Sequence, residues 1–387
     1  MVKMKLKWLH CAVCLLLLTG CWDRVEINDL AFVTATGVDK EEENKFRVSC
    51  QIPLPGAMGG AGSSGGGGGT AGAQPFYVDS GTGRNIKEAN DNLQLRMSRN
   101  LYFAHRRVIV FGKELAKSGF KKSLDVILVQ PQSRISTFVL ISENDALGVL
   151  DSSPHLEQLP AEAIRELTKN SLNITVKEVL QDIDRPGKDP LVPIVEVIKT
   201  QNKNKEQQTD EIELKKIAIL KDDNYKFETT LKESLGIFWL KEMMEGKTLT
   251  FSISDKDEVN VEVERQSLIV DYEIKNDLPT FNLNIKAATI LVQNENNVII
   301  AKEEIYKDLK EKLDKTIEDQ ILTIINKAKA ESADIYGFGW LLYRKDPLLW
   351  KGKFEDKWDD ILKELDVKVN VDTEIRRLSN TGIDVED

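Results

Sequence analysis

Four cysteines, three histidines and a dense supply of carboxylates are the side chains of this 387-residue sequence that could do chemistry. Cys11, Cys14, Cys21 and Cys50 could close two disulfides, and with His10, His105 and His155 they could hold zinc. The surroundings of Cys21 narrow those options. In "LLLLTGCWDR", residues 15–24, an apolar run stops at small residues, a thiol follows, and charged sequence begins at once. A thiol so placed is a nucleophile at the end of a hydrophobic leader.

The rest of the N-terminus fits a leader. Lys3, Lys5 and Lys7 precede an apolar stretch from Trp8 to Leu18, the layout of an export signal. That stretch is too short to span roughly 30 Å of hydrocarbon as a stable helix. Leu18-Thr19-Gly20-Cys21 resembles the lipobox of bacterial lipoproteins, in which a diacylglycerol is attached to the cysteine sulfur and the chain is cut before that cysteine. Residues 1–20 are therefore expected to be a signal peptide cut between Gly20 and Cys21, with Cys21 lipidated. Each buried methylene contributes about 0.8 kcal/mol, so two acyl chains hold stably where one holds only marginally. The expected location is an outer membrane leaflet.

Processing also settles the thiol count. Cys11 and Cys14 leave with the leader, the Cys21 sulfur becomes a thioether, and Cys50 alone remains. No intramolecular disulfide is then available, so the fold must stand on its cores. His105, His155 and Cys50 are too few for a zinc set, so no metal site and no cofactor are expected. The Gly-x-Ser-x-Gly spacing at Gly62-Ser63-Ser64-Gly65-Gly66 falls within a Gly-rich run and not at a strand-to-helix turn, so it is no nucleophile elbow, and no residue is assigned a catalytic role. Cys50, in the alternating run "KFRVSCQIPL", reads as a buried small hydrophobe, and His105, in "YFAHRRVIV", as a hydrogen-bonded group at the edge of a buried strand.

The formal charge of the chain is −10; removing Lys3, Lys5 and Lys7 from the 53 basic residues leaves 50 against 63 acidic ones, or −13. Such a surface repels polyphosphate, and no basic run interleaved with aromatics offsets it, so nucleic acid is not an expected partner.

The elements that must carry these residues can be placed by pattern. With 41% hydrophobic residues the chain can bury two or three modest cores and should be multidomain. "LAFVTATGVDKEEENKFRVSCQIPL" reads as a hairpin, and residues 56–74 as a Gly-rich surface loop. No Gly-Lys-Ser/Thr follows that loop, which excludes a phosphate cradle. Helices and strands alternate thereafter: Ile86, Ala89, Leu93 and Met97 form one apolar helix face, and "RRVIVFG" a short buried strand. Residues 21–199 are read as an N-terminal mixed α/β region with room for two subdomains, 200–211 as a linker or an exposed hairpin turn, and 212–379 as a C-terminal α+β domain. In that domain, alternation from Lys247 to Gln293 predicts an antiparallel sheet. Ile305, Leu309, Leu313, Ile317, Ile321, Ile324, Ile325 and Ala328 predict a long helix covering it. A helix from another subunit is the other candidate for that stripe. The fold class is α+β, a multidomain mixed α/β arrangement.

Three further motifs, "GCWDRVEINDLAFVTATGVDK", "SRNLYFAHRRVIVFGKELA" and "ADIYGFGWLLYRKDPLLW", occur in that order. In this respect the chain resembles the Ger(x)C lipoproteins, the C subunits of spore germinant receptors, over nearly the whole stretch from Cys21 to about Arg377. The resemblance implies a three-domain mixed α/β protein without catalysis, seated with integral membrane A-type and B-type subunits on the outer face of the inner spore membrane. There the receptor responds to small nutrients. Cys21 carries over as the lipidated residue, and the segments around Trp22, Gly37, Ser98, His105, Gly337 and Trp350 match the family's motifs. The Gly-rich stretch departs from it as a long insertion. Direct binding of a germinant to this subunit is not assigned by any of these residues.

Arg106, Arg107 and Arg134 could meet a carboxylate on a partner subunit, since a planar guanidinium suits bidentate contact, or could form a solvated face. "YGFGWLLYRKDPLLW", with Phe338 at its centre, is either a mini-core closing its domain or an exposed binding ledge. Two functions compete: a receptor subunit, or a solute-binding surface lipoprotein that delivers a small molecule to a transporter. Solute receptors usually need a cleft between doubly wound lobes, and the antiparallel reading of the second half favours the first.

Overall fold

The computed structural model describes residues 8, 25–42, 44–58, 74–130, 132–253, 258–275, 278–294 and 303–377. The leader apart from Trp8, the expected cleavage and lipidation residues Gly20 and Cys21, and most of the Gly-rich stretch lie outside the described residues.

The chain enters through β1 (Leu30–Phe32), β2 (Ala35–Glu42), β3 (Lys45–Pro53) and β4 (Phe76–Gly83). Next come α1 (Ile86–Gln94), β5 (Asn100–Tyr102), β6 (Val108–Gly112), α2 (Lys121–Leu128) and β7 (Phe138–Ser142). Two helices follow, α3 (Pro160–Asn170) and α4 (Val176–Asp184), and then β8 (Leu191–Lys199), β9 (Asp210–Lys221) and β10 (Asn224–Glu228). Eight of these strands form one sheet in the order β10-β9-β8-β7-β6-β2-β3-β4, while β1 pairs with β5 alone. The centre of the sheet is parallel: β2 with β6, β6 with β7, β7 with β8. Its flanks are antiparallel hairpins. Every residue of β6 is buried because helices cover both faces. On one face Ile109 and Phe111 meet Ala89 and Leu93 of α1 and Leu124 of α2; on the other Val108 and Val110 meet Ala161 and Ile164 of α3. Cys50 sits wholly inside the first of these cores, where burial pushes its thiol up to about 12.

Residues 200–209 do not separate two bodies. They close the hairpin between β8 and β9, with Thr200 N donating to Thr209 O at 2.9 Å. Of the two readings of this polar stretch, linker or exposed hairpin turn, the turn is the one seen. The cause lies in β9: Ala218 and Leu220 feed the core beneath α1 and α2, whereas Ile217 and Ile219 feed the core of the second half. A strand apolar on both faces needs a neighbour, and β8 supplies one.

The second half begins with α5 (Leu231–Leu240) and builds a second sheet from β11 (Thr248–Ser252), β12 (Glu258–Lys275), β13 (Leu278–Asn294) and β14 (Asp366–Arg377). The first three are antiparallel as expected, but β14 runs parallel to β13. Parallel neighbours require a crossover. Here α6 (Glu303–Ala330), α7 (Phe338–Lys345) and α8 (Trp358–Glu364) make it. The stripe Leu309, Leu313, Ile317, Ile321, Ile324 of α6 is buried against Val261, Val263, Phe281 and Leu283 of this same sheet, so the helix covers its own domain. At Gly236 a Cβ would stand 2.3 Å from Gln320 O, so the glycine lets α5 lie directly on α6, where Trp239 Nε1 donates to Gln320 Oε1 at 3.1 Å.

Candidate partner-binding site

Val108 pairs with Ala35 and with Phe138, so the first residues of β2, β6 and β7 mark one edge of the parallel sheet, its amino edge. The chain arrives at β6 through a tight turn, Phe103–His105, which delivers His105, Arg106 and Arg107 to that edge. Arg134 and Ser136 come from the segment leading into β7, and Arg165 from α3. Together these six residues line a cleft of about 240 Å³.

The guanidiniums differ in kind. Arg106 is buried, not part of a solvated face: Nη2 donates to Ser133 Oγ at 2.9 Å, the group lies 5.4 Å over the Phe103 ring, and burial pushes its pKa down to about 10. Its Nε has no partner among the described residues. Arg107 is 45% exposed, with Nε 3.6 Å from Glu162 Oε1; Arg165 holds Glu162 at 2.6 Å and Glu166 at 3.2 Å; Arg134 is exposed. Four guanidiniums thus face two carboxylates, leaving the cleft an excess of positive charge on an acidic protein. Such a cleft suits a carboxylate presented by a partner. His105 is exposed and packs edge-on against Phe32 at 5.2 Å, in place of the hydrogen-bonded role expected of it.

The opposite, carboxyl edge is where open α/β sheets usually hold small ligands. Here it is filled. The Asp39 carboxylate accepts from Ala146 N at 2.7 Å and would lie 2.2 Å from a Cβ on Gly112. Beside it Lys113 and Lys216 bridge Glu143 and Glu228, which holds the Glu228 carboxyl down at about 2.

Phe338 is not brought to the arginine cleft. At 1% exposure it closes a core, 4.6 Å from the Phe281 ring, and this corrects its place among candidate interface residues. The reason is Asp334, which the sequence reading missed. Its buried carboxylate accepts from Gly337 N at 2.7 Å, from Phe338 N and Gly339 N at 2.9 Å, and from Trp358 Nε1 at 3.2 Å. Four donors on one carboxylate wind the motif inward. Gly339 then meets Gly187 so closely that a Cβ on either would overlap the other and Trp350. We expect Phe338→Ala to cost about 3 kcal/mol by the cavity it leaves, read as a lowered denaturant midpoint with an unchanged m-value.

Comparison with known proteins decides the family. Residues 23–197 match the family described as "Spore germination protein N-terminal domain", and residues 215–379 match "Spore germination B3/ GerAC like, C-terminal". The chain belongs to the Ger(x)C family of spore germination proteins. Ger(x)C relatives in Bacillus subtilis (strain 168) match nearly end to end. The chain is 30% identical to putative spore germination protein YfkR, over 92% of this chain and 91% of that one. It is 27% identical to spore germination protein KC, over 94% and 93%. The fold is that of the crystal structure of the GerBC protein, with a TM-score of 0.57 at 15% identity, covering 90% of this chain and 99% of that one. Among the described residues of this Ger(x)C protein no helix is long and apolar enough to cross a membrane.

Proposed function

We propose that this chain is the lipid-anchored, non-catalytic C subunit of a membrane-bound germinant receptor. Cys21 tethers it to the outer face of the inner spore membrane, and it supports nutrient-triggered germination by assembling with integral membrane A-type and B-type subunits. The observation that carries this reading is the sequence order in one chain: a lipobox leader followed at once by the two matched germination domains. The arginine cleft supports it, because it is a basic site on a body of net charge −13 and lies at the sheet edge where the chain comes in from Cys21. Solute capture is disfavoured by the filled carboxyl edge.

The test is co-purification of the intact lipoprotein from spore inner membranes. Arg107→Glu with Arg134→Glu alters exposed side chains only, so the variant should stay folded and membrane-bound while recovery of the membrane subunits falls at least tenfold, the equivalent of about 1.4 kcal/mol. Undiminished recovery would remove the cleft from the interface.

A further inference from the structure

The tether has a geometric consequence. Only three residues separate Cys21 from Val25, where the described mature chain begins, so the two are four steps apart, and a chain extends at most about 3.6 Å per step. If the Cys21 sulfur carries acyl chains, Val25 stands within about 14 Å of the anchoring residue, and the surface around it must lie against the headgroups.

That surface has the character the position demands. The segment Val25–Leu30 runs beside a cleft of about 570 Å³ whose walls include Ile27, Leu54, Tyr77 and Met97 together with Arg99 and Arg96, the latter paired with Asp79 at 3.0 Å. Apolar side chains stand out from it instead of folding in: Ile27 is 73% exposed and Leu95, next to Arg96, is 85% exposed. Ile27, Leu54, Tyr77 and Met97 are gathered on one cleft, with Leu95 two residues before Met97 in the chain; apolar groups gathered in this way mark a contact surface, whereas single ones need no explanation. The cleft lies at the amino edge, because Gln51 pairs with Ala35 and the lining residues Ile52–Leu54 continue past it. Phe32 lines this cleft and also carries His105 of the arginine cleft against its ring.

We infer that the amino edge around Ile27, Tyr77 and Leu95 is a bilayer-docking surface, a second membrane contact that seats these apolar side chains at the headgroup level. It rests on the lipid-anchor reading and goes beyond it. The tether alone leaves the body free to swivel; docking fixes which face points down and holds the adjacent arginine cleft beside the membrane surface. Arg96 and Arg99 then lie where lipid phosphates are, while the burial comes from the apolar side chains.

The experiment uses the full, lipidated chain reconstituted in vesicles of phosphatidylethanolamine and phosphatidylglycerol. Ile27→Cys, Leu95→Cys and, as reference, Leu156→Cys each introduce one reactive thiol, since Cys50 is buried and Cys21 is acylated. Leu156 suits the reference: it is 94% exposed and flanks His155, which contacts Thr209 in the hairpin beyond the carboxyl edge. Each thiol is labelled with an environment-sensitive fluorophore. Labels at Ile27 and Leu95 should shift their emission to the blue, be quenched by brominated acyl chains and lose access to aqueous iodide, whereas the label at Leu156 stays in water. Equal iodide access at all three sites on vesicle-bound protein would overturn the docking surface and leave the lipid anchor standing. Failure of the chain to float with the vesicles would overturn the anchor itself, and docking with it.

Discussion

Replacing Cys21 with Ala should free the protein from membranes washed in high salt, while the parent chain stays in the membrane fraction. The difference is large when the chain is made without the A-type and B-type subunits, because no other strong attachment is then available. The alanine offers no sulfur to acylate, so the contribution of two acyl chains at about 0.8 kcal/mol per buried methylene disappears. The uncut leader is a poor substitute: its apolar run from Trp8 to Leu18 would reach about half the roughly 30 Å hydrocarbon core even as a helix. Electrostatics works against retention too, since a body of net charge −13 is repelled by anionic lipid. The docking surface is small and acts only on a body already tethered. Fractionation together with intact mass of the mature chain reads the result, and full retention of Cys21→Ala would sink the tether.

Asp334→Ala is the most disruptive substitution expected within the fold. It strands the amides of Gly337, Phe338 and Gly339 and the Trp358 indole, all buried, at about 1–3 kcal/mol each, for a loss on the order of 5 kcal/mol. Asp189 shares the damage, because its Oδ2 accepts from Asp334 N at 2.7 Å and its Oδ1 from Asp222 N at 2.8 Å. The pH dependence carries a distinct signature. Burial pushes the Asp334 carboxyl up from 3.8 to about 6, although its backbone donors pull it down. Between those values the folded protein keeps a proton that the unfolded chain releases, so this group's contribution to stability is greatest below about pH 4 and falls as pH rises to about 6. Two pH units correspond to about 3 kcal/mol. Asp334→Asn removes the titration, so its deficit relative to the parent should be larger at pH 4.5 than at pH 7 in urea unfolding. A deficit independent of pH would refute this assignment.

Much of the fold was legible because burial leaves a periodic trace. The stripe from Leu309 to Ala328 predicted α6 and its packing on the sheet before it, and "RRVIVFG" predicted a short buried strand. The parallel pairing of β14 was hidden, since "DVKVNVDTEIRR" alternates in the same way whichever direction its neighbour runs. The stretch 200–211 read as either a linker or a hairpin turn, since the two share a polar composition. Of the candidate site, Arg106, Arg107 and Arg134 were visible as cations, but their convergence with Arg165 depends on how α3 lies over β6. Only the (i, i+3) pair Glu162 and Arg165 hinted at it. Asp334 resembled any acidic turn residue a few positions before a glycine, and nothing local says that four donors meet there.

Where two domains meet through a small polar patch, independent swinging is the default; a broad apolar junction suppresses it. In this protein β9 lends Ile217 and Ile219 to the core beneath α5, and Asp189 clasps the turn at Asp334, so no hinge is left between the halves. The β12–β13 ribbon therefore turns together with the parallel sheet and not separately from it.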